Sequence, residues 1–263
     1  MDFGTRLKQL RTERGMQQSQ LGQAVGVSAS AVGAYERGQR EPTLAVLSAL
    51  ADFFGVSADA LLGREAIPSQ TGERSAHLRR ATKETDIDLT LRLVPGPSEI
   101  STGIGFFDHM LTALAFYGGM QLTLTAKGDL HVDGHHTVED VGIVLGKALA
   151  QALGDKAGIR RFASSAVPMD EALCTCALDV SGRPYLVFDA EMPQPMIGTY
   201  DSCLTLEFMR ALAMNAGFTL HLACPYGTNA HHMAEGLFKA LGMALREAVT
   251  VTGTGVTSTK GAL

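Results

Sequence analysis

The 263-residue chain contains no uninterrupted apolar run of about 18 residues, and its opening MDFGTRLKQLRTER alternates apolar with charged side chains where an export leader would carry an apolar centre. The expectation is a soluble, cytoplasmic protein without a membrane span. Cysteine is scarce: Cys174, Cys176, Cys203 and Cys224 lie in apolar stretches with no CxxC pair, which favours buried reduced thiols over disulfides or a zinc cluster. Excess positive charge is missing too. A formal net charge of −5 gives no general field for holding a polyanion. Histidine is absent before His77, so all eight lie in the later part of the chain. What is plentiful is apolar residue: 46% hydrophobic with a mean hydropathy of +0.10 supports buried cores, and the length suits two domains.

Residues 1–63 carry only helical periodicity. Phe3, Leu7 and Leu10 recur at three or four, followed by Leu21, Val25 and Val27, then Val32 and Tyr35, then Leu44, Leu47, Leu50, Phe53 and Phe54, which fits five short helices. Gly15, Gly26, Gly38 and the Glu41-Pro42 break punctuate them, with Ser19, Ser28, Thr43 and Ser57 as N-cap candidates. The stretch GMQQSQLGQAVGVSASAVGAYERGQREP at 15–42 resembles the phage-repressor-like helix-turn-helix family. The resemblance implies DNA contact by Gln18 and by Ser28, Ala29 and Ser30 at the start of the second helix, with Arg37 and Arg40 near the backbone. Against this, Ala29 and Gly33 offer no bidentate base contacts, and seven Lys and Arg against seven Asp and Glu over residues 1–65 leave little counterion-release affinity. A domain retained for packing or assembly is the competing reading.

A polar, turn-rich stretch at 64–75, containing IPSQTGERS, reads as a linker. Beyond it the pattern changes class to mixed strand and helix. Strands are expected at 84–94, 120–126, 173–180, 184–190 and 218–223, and helices at 107–117, 135–153, 204–216 and 231–249. The order repeats. HHTVEDVGIVLGKALAQAL at 135–153 and HHMAEGLFKALGMALREAV at 231–249 share eight identities in nineteen positions, and HMLTALAFYGGMQLTL at 109–124 aligns with EFMRALAMNAGFTLHL at 207–222. The fold class expected is α+β: a small all-α helix-turn-helix domain at 1–63, then an internally duplicated α/β sandwich at 76–263, with repeats of about 79–165 and 166–263.

Each repeat presents His or Glu on one helix and HHxxE at the start of the next. On a helix the first His and the Glu stand at i and i+4, close enough to share a metal ion, while the second His points about 100° away. A symmetric division follows. One site takes His135, Glu139, Glu207 and His232, and its mirror takes His231, Glu235, His109 and His136. Imidazole and carboxylate without thiolate suit Mn²⁺, Fe²⁺ or Zn²⁺ in an open catalytic geometry.

TGIGFFDHM at 102–110, DGHHTVEDVG at 133–142, PMDEAL at 168–173, SGRPY at 181–185, GTNAHHMAEGLFKAL at 227–241 and STKG at 258–261 resemble the imidazoleglycerol-phosphate dehydratase family from about Arg79 to the C-terminus. The resemblance implies a hydro-lyase of histidine biosynthesis converting D-erythro-imidazoleglycerol phosphate to imidazoleacetol phosphate. It implies two Mn²⁺ per active site, or another divalent metal, and sites formed between subunits of a large cubic homo-oligomer. It implies an acid/base role for Glu84 and phosphate or substrate contacts for Arg161, Arg183, Ser258, Thr259 and Lys260. The reaction lacks a carbonyl to acidify the carbon chain, so the imidazole must supply the electrons. Two ions would favour the imidazolate, and Glu84 and Glu235 are the candidates for moving protons. No organic cofactor is required. Asp170 and Glu171 are expected to be structural partners, and His131 and His221 to be strand residues outside the ligand set. The alternative is a histidine-pathway transcriptional regulator with an enzyme-derived sensor domain, but its ligands are intact.

Overall fold

The computed structural model describes residues 2–56, 58–62 and 74–260, and the chain divides into two compact units, Met1–Ser69 and Gln70–Leu263. Most of the 64–75 stretch, and the cap candidate Ser57, lie outside the described residues. Ser75 itself opens a strand.

The first unit is five helices: α1 (Phe3–Glu13), α2 (Gln18–Val25), α3 (Ala29–Glu36), α4 (Leu44–Phe54) and α5 (Ala58–Leu61). Leu7, Leu21, Val32, Leu50 and Leu61 form its buried centre, each fully buried side chain contributing about 1.5–3 kcal/mol. Ser28 and Thr43 cap α3 and α4 through their hydroxyls. Ser19 is not a cap: α2 begins two residues earlier than such a cap would place it, at Gln18 with Gln17 as N-cap, whose N–H donates to Gln20 Oε1 at 2.7 Å. The tight turn from α2 to α3 depends on Gly26 at φ +75°, a left-handed conformation that costs glycine little.

The second unit runs β1 (Ser75–Ala81), β2 (Thr85–Arg92), β3 (Glu99–Ser101), α6 (Gly105–Gly118), β4 (Gln121–Gly128), α7 (His135–Leu153), β5 (Phe162–Met169), β6 (Ala172–Asp179), β7 (Tyr185–Asp189), β8 (Met196–Ile197), β9 (Tyr200–Asp201), α8 (Leu204–Ala216), β10 (Thr219–Ala223) and α9 (Ala230–Ala248). Two four-stranded sheets have the orders β1-β2-β4-β3 and β5-β6-β10-β7. In each, the first three strands pair antiparallel and the last joins in parallel. The duplication is therefore one of topology, with β1, β2, β4 and β3 equivalent to β5, β6, β10 and β7. The inward residues Ile87, Leu89 and Leu91 of β2 alternate with outward Asp86, Asp88 and Thr90, as a sheet with one solvated face requires. β1 and β5 alternate in burial as well, but their residues (SAHLRRA and FASSAVPM) do not alternate regularly between polar and apolar, which is why the periodicity overlooked them.

The helices lie between the sheets, α7 packing on α8 and α6 on α9. The repeat explains how closely they approach. A Cβ on Gly146 of α7 would stand 2.7 Å from the Leu212 carbonyl of α8, and one on Gly242 of α9 would stand 2.8 Å from the Leu114 carbonyl of α6. Both distances are below van der Waals contact, so the aligned glycines are what let each HHxxE helix cross its neighbour. Two expectations need correction. Cys203 is exposed beside the start of α8, unlike Cys174, Cys176 and Cys224. His131 occupies the turn after β4 because the strand ends at Gly128.

Candidate active site

In the first turn of helix α6, Asp108 accepts from both the backbone N–H and the hydroxyl of Thr102, at 2.8 and 2.6 Å, which ties that turn to the loop before it. One residue later comes His109. Its Nε2 is 3.7 Å from Glu235 Oε2, and His231 Nε2 is 3.3 Å from the same oxygen. His231 and Glu235 share a face of α9 at i and i+4, as their spacing predicts. Among the described residues these three form a group whose ligand atoms all lie within 4.8 Å of one another. Phe106 packs edge-on against the His231 ring at 5.0 Å. Lys239 Nζ donates to Glu235 Oε1 at 2.8 Å. Burial opposes ionisation of Glu235, but the Lys239 hydrogen bond and charge, aided by His109 and His231, win and lower its pKa. An anionic carboxylate flanked by two imidazoles is a donor set that fits a borderline divalent cation.

The fourth residue expected with them, His136, is not there. Its Nδ1 faces Asp129 at 3.0 and 3.2 Å, with Glu84 Oε2 at 4.0 Å. The hydrogen bond to Asp129 raises its pKa, with Glu84 adding charge. Of the other four, His135 and Glu139 form an i, i+4 pair at 3.8 Å. Glu207 turns instead to Arg210 at 2.7 Å. His232 Nδ1 meets Glu171 Oε2 at 2.8 Å, which raises the histidine's pKa and helps hold the glutamate down at about 2. Within one chain, three of the eight ligand candidates converge and the other five stand in pairs with different partners.

Glu84 sits in the β1–β2 turn, 55% exposed at its side chain. That turn is pinned to α7. Thr85 donates to buried Asp140 at 2.5 Å, Arg80 reaches the other Asp140 oxygen at 2.9 Å, and Thr82 bonds across the turn to Thr85. Both escaped the sequence reading. Asp129, just past the end of β4, belongs to no ligand-spaced motif, whereas Asp140 stands at i+4 from His136 on α7, a spacing that was the available signal although the structure turns this side chain to Thr85 and Arg80 instead.

Arg183, Ser258, Thr259 and Lys260 line a cleft of about 860 Å³ with Arg161. Arg161 is buried and held at φ +76°. It donates to both Asp179 oxygens at 2.6 and 3.0 Å and to the Thr257 carbonyl at 2.7 Å. It therefore anchors the C-terminal segment as well as lining the cleft. His221 is exposed on β10, and His77 pairs with Asp88 on the outer face of the first sheet at 3.1 Å.

In the first unit, the DNA-contact candidates are largely engaged locally. Gln18 donates to Glu36 at 2.8 Å, and Arg11 holds the same carboxylate at 2.6 Å. Ser28 caps α3 and meets Ser30 at 2.9 Å. Arg37 donates to Gln39 at 2.9 Å. Among the described residues no helix is long and apolar enough to cross a membrane.

Residues 7–61 match the helix-turn-helix family, and residues 102–245 match the family of imidazoleglycerol-phosphate dehydratase. The chain is 58% identical over 194 residues to the imidazoleglycerol-phosphate dehydratase of Gluconobacter oxydans, covering 72% of this chain and 98% of that protein. It is 58% identical over 193 residues to the enzyme of the same name from Streptococcus mutans, covering 72% and 100%. The crystal structure of imidazoleglycerol-phosphate dehydratase from Staphylococcus aureus superposes with a TM-score of 0.63 at 39% identity, over 68% of this chain and 99% of that one. With a matching duplicated fold and motif set, the chain belongs to the imidazoleglycerol-phosphate dehydratase family and carries an N-terminal helix-turn-helix domain.

Proposed function

We propose that the second unit is a hydro-lyase that removes water from imidazoleglycerol phosphate in histidine biosynthesis, in the cytoplasm, and that its histidine and glutamate set holds two divalent ions of the Mn²⁺ class. The convergence of His109, His231 and Glu235 within 4.8 Å carries this reading. His136 would complete that set, and His135, Glu139, Glu207 and His232 would form the other. Since neither set of four closes within one chain, the reading assigns completion to a second copy, consistent with a homo-oligomer whose sites lie between subunits. A large cubic assembly is the form we infer.

When bound, such ions supply Lewis acidity at the substrate's ring nitrogens. The chain's own residues supply the rest. Arg183, Lys260, Ser258 and Thr259 take the phosphate, with Arg161 held behind them by Asp179, as planar guanidinium and ammonium donors permit. Glu84 moves the proton at the carbon beside the departing hydroxyl, since its carboxylate is exposed on an anchored turn. Glu235 is the second candidate, already paired with Lys239. Activity of the chelator-treated full-length protein, assayed with and without added Mn²⁺, tests this. Two ions per chain and restored turnover are expected; full turnover in metal-free protein would sink the scheme.

For the first unit we propose weak DNA contact through Gln18, Ser28, Ser30 and Arg37. The local engagement of Gln18 and Arg37, and the balanced charge of residues 1–65, make affinity depend on several copies acting together. A regulator using a catalytically silent second unit is not favoured.

A further inference from the structure

The equivalent turns of the two repeats each end in a glutamate immediately before the second strand: Glu84 before β2 and Glu171 before β6. Each faces the second histidine of its HHxxE helix, His136 or His232, but at different range. Glu171 is fully used. Its Oε2 meets His232 Nδ1 at 2.8 Å, and its Oε1 accepts from the backbone N–H groups of Thr228 and Asn229 at 3.0 and 2.9 Å. Glu84 stands back at 4.0 Å from His136, because Asp129 already holds that ring at 3.0 Å. Asp129 is tied to the same turn, its N–H donating to the Glu84 carbonyl at 3.1 Å.

Carried across the turn, the repeat alignment places Gly227 (at the strand's offset of 98) or Pro225 (at the helix's offset of 96) opposite Asp129, and neither carries a carboxylate. The second repeat has no carboxylate at this place, and its turn glutamate reaches the histidine itself.

We propose that Asp129 and Glu171 are positioning residues that hold Nδ1 of His136 and His232 and leave Nε2 of each to a divalent ion, and that Asp129, by taking this task in the first repeat, releases Glu84 for proton transfer. The assignment rests on the reading of both histidines as ligands. A carboxylate behind a ligating histidine fixes its tautomer and ring orientation, and losing that partner typically weakens metal binding about 10- to 100-fold. It also says why two topologically equivalent glutamates differ in role: one is spent on three donors and the other is free.

Mn²⁺ titration of the metal-free full-length protein, with kcat and KM measured in parallel, tests the assignment. E171A is expected to weaken one of the two ion sites about 10- to 100-fold while leaving the other unchanged. E171Q should rescue it poorly, since one amide oxygen cannot serve both the imidazole and two backbone N–H groups. D129A should weaken metal binding less, because Glu84 can close the 4.0 Å gap to His136, yet it should lower kcat with little change in KM. D129N should restore most of that loss, its amide oxygen accepting from Nδ1. Wild-type Mn²⁺ affinity at both sites in E171A and E171Q, or equal kcat losses in D129A and D129N, would overturn the proposal. Should E171A not assemble as the wild type does, the titration of E171Q decides the matter. A wild-type protein that takes up no Mn²⁺ would remove the ligand reading beneath it, a failure distinct from either of these.

Discussion

Substituting Asp179 by Ala removes the partner of a buried guanidinium and loosens the C-terminal segment in one step. Arg161 and Asp179 side chains are 9% and 16% exposed, so Arg161 would be left inside with two of its three hydrogen bonds gone. Breaking a buried pair from one side costs about 3–5 kcal/mol, and the partial exposure of Asp179 places this pair near about 3 kcal/mol. For a unit of this size about 2–4 °C is lost per kcal/mol, so thermal unfolding of D179A should fall by roughly 6–12 °C. An exposed pair provides the control: Arg160 and Glu247 are 56% and 43% exposed at 2.8 Å, and E247A should cost under about 1 kcal/mol. Function should follow the same contact. With Arg161 released, its hold on the Thr257 carbonyl weakens, Ser258 to Lys260 lose their place in the cleft, and KM should rise more than kcat falls. Melting temperatures and steady-state kinetics of the two variants side by side decide this. Equal melting temperatures for D179A and E247A, or a change confined to kcat, would refute the reasoning.

Glu84→Gln should leave Mn²⁺ content intact and lower kcat by about 10²-fold or more, as loss of a general acid or base does; a change in KM alone would contradict the role. Gly242→Ala drives a methyl to 2.8 Å from the Leu114 carbonyl and should cost about 1–3 kcal/mol of overpacking, read as a lower denaturation midpoint with an unchanged slope. The Glu171 carboxyl, held at about 2 chiefly by its hydrogen bond to His232, stabilises the folded state above its unfolded value near 4.3 and loses that contribution as pH falls toward 2. His232, raised by the same contact, contributes below its unfolded value near 6.5 and stops contributing once pH passes above its folded value. Acid and alkaline melts of metal-free protein should therefore both flatten in E171A relative to wild type. Residues 70–263 alone should keep dehydratase activity, while only the full-length protein is retained on DNA, and only at low salt; equal retention of both would show that residues 1–69 do not read DNA.

The amino-acid sequence by itself determined the class of each segment, the duplication and the residue types of the candidate ligands. Those signals are local. The 3.6-residue periodicity of α7, α8 and α9 and the i, i+4 pairing of His231 with Glu235 survive without knowledge of any partner. The three-residue β3, and β1 and β5, whose residue types do not alternate regularly between polar and apolar, carry no such period and become visible only through their neighbours in the sheet. The tertiary structure decided which donors meet. It brought His109 to His231 and Glu235 across the α6–α9 contact, yet gave His136 to Asp129, His232 to Glu171, Glu207 to Arg210 and Arg161 to Asp179. Apart from the i, i+3 pair of Glu207 with Arg210, these pairings are set by strand register and helix approach, which no spacing along the chain encodes. Chemistry is written in residue types, but whether a turn carboxylate meets its histidine, as Glu171 does at 2.8 Å, or stands back at 4.0 Å, as Glu84 does, is fixed only by the packed fold.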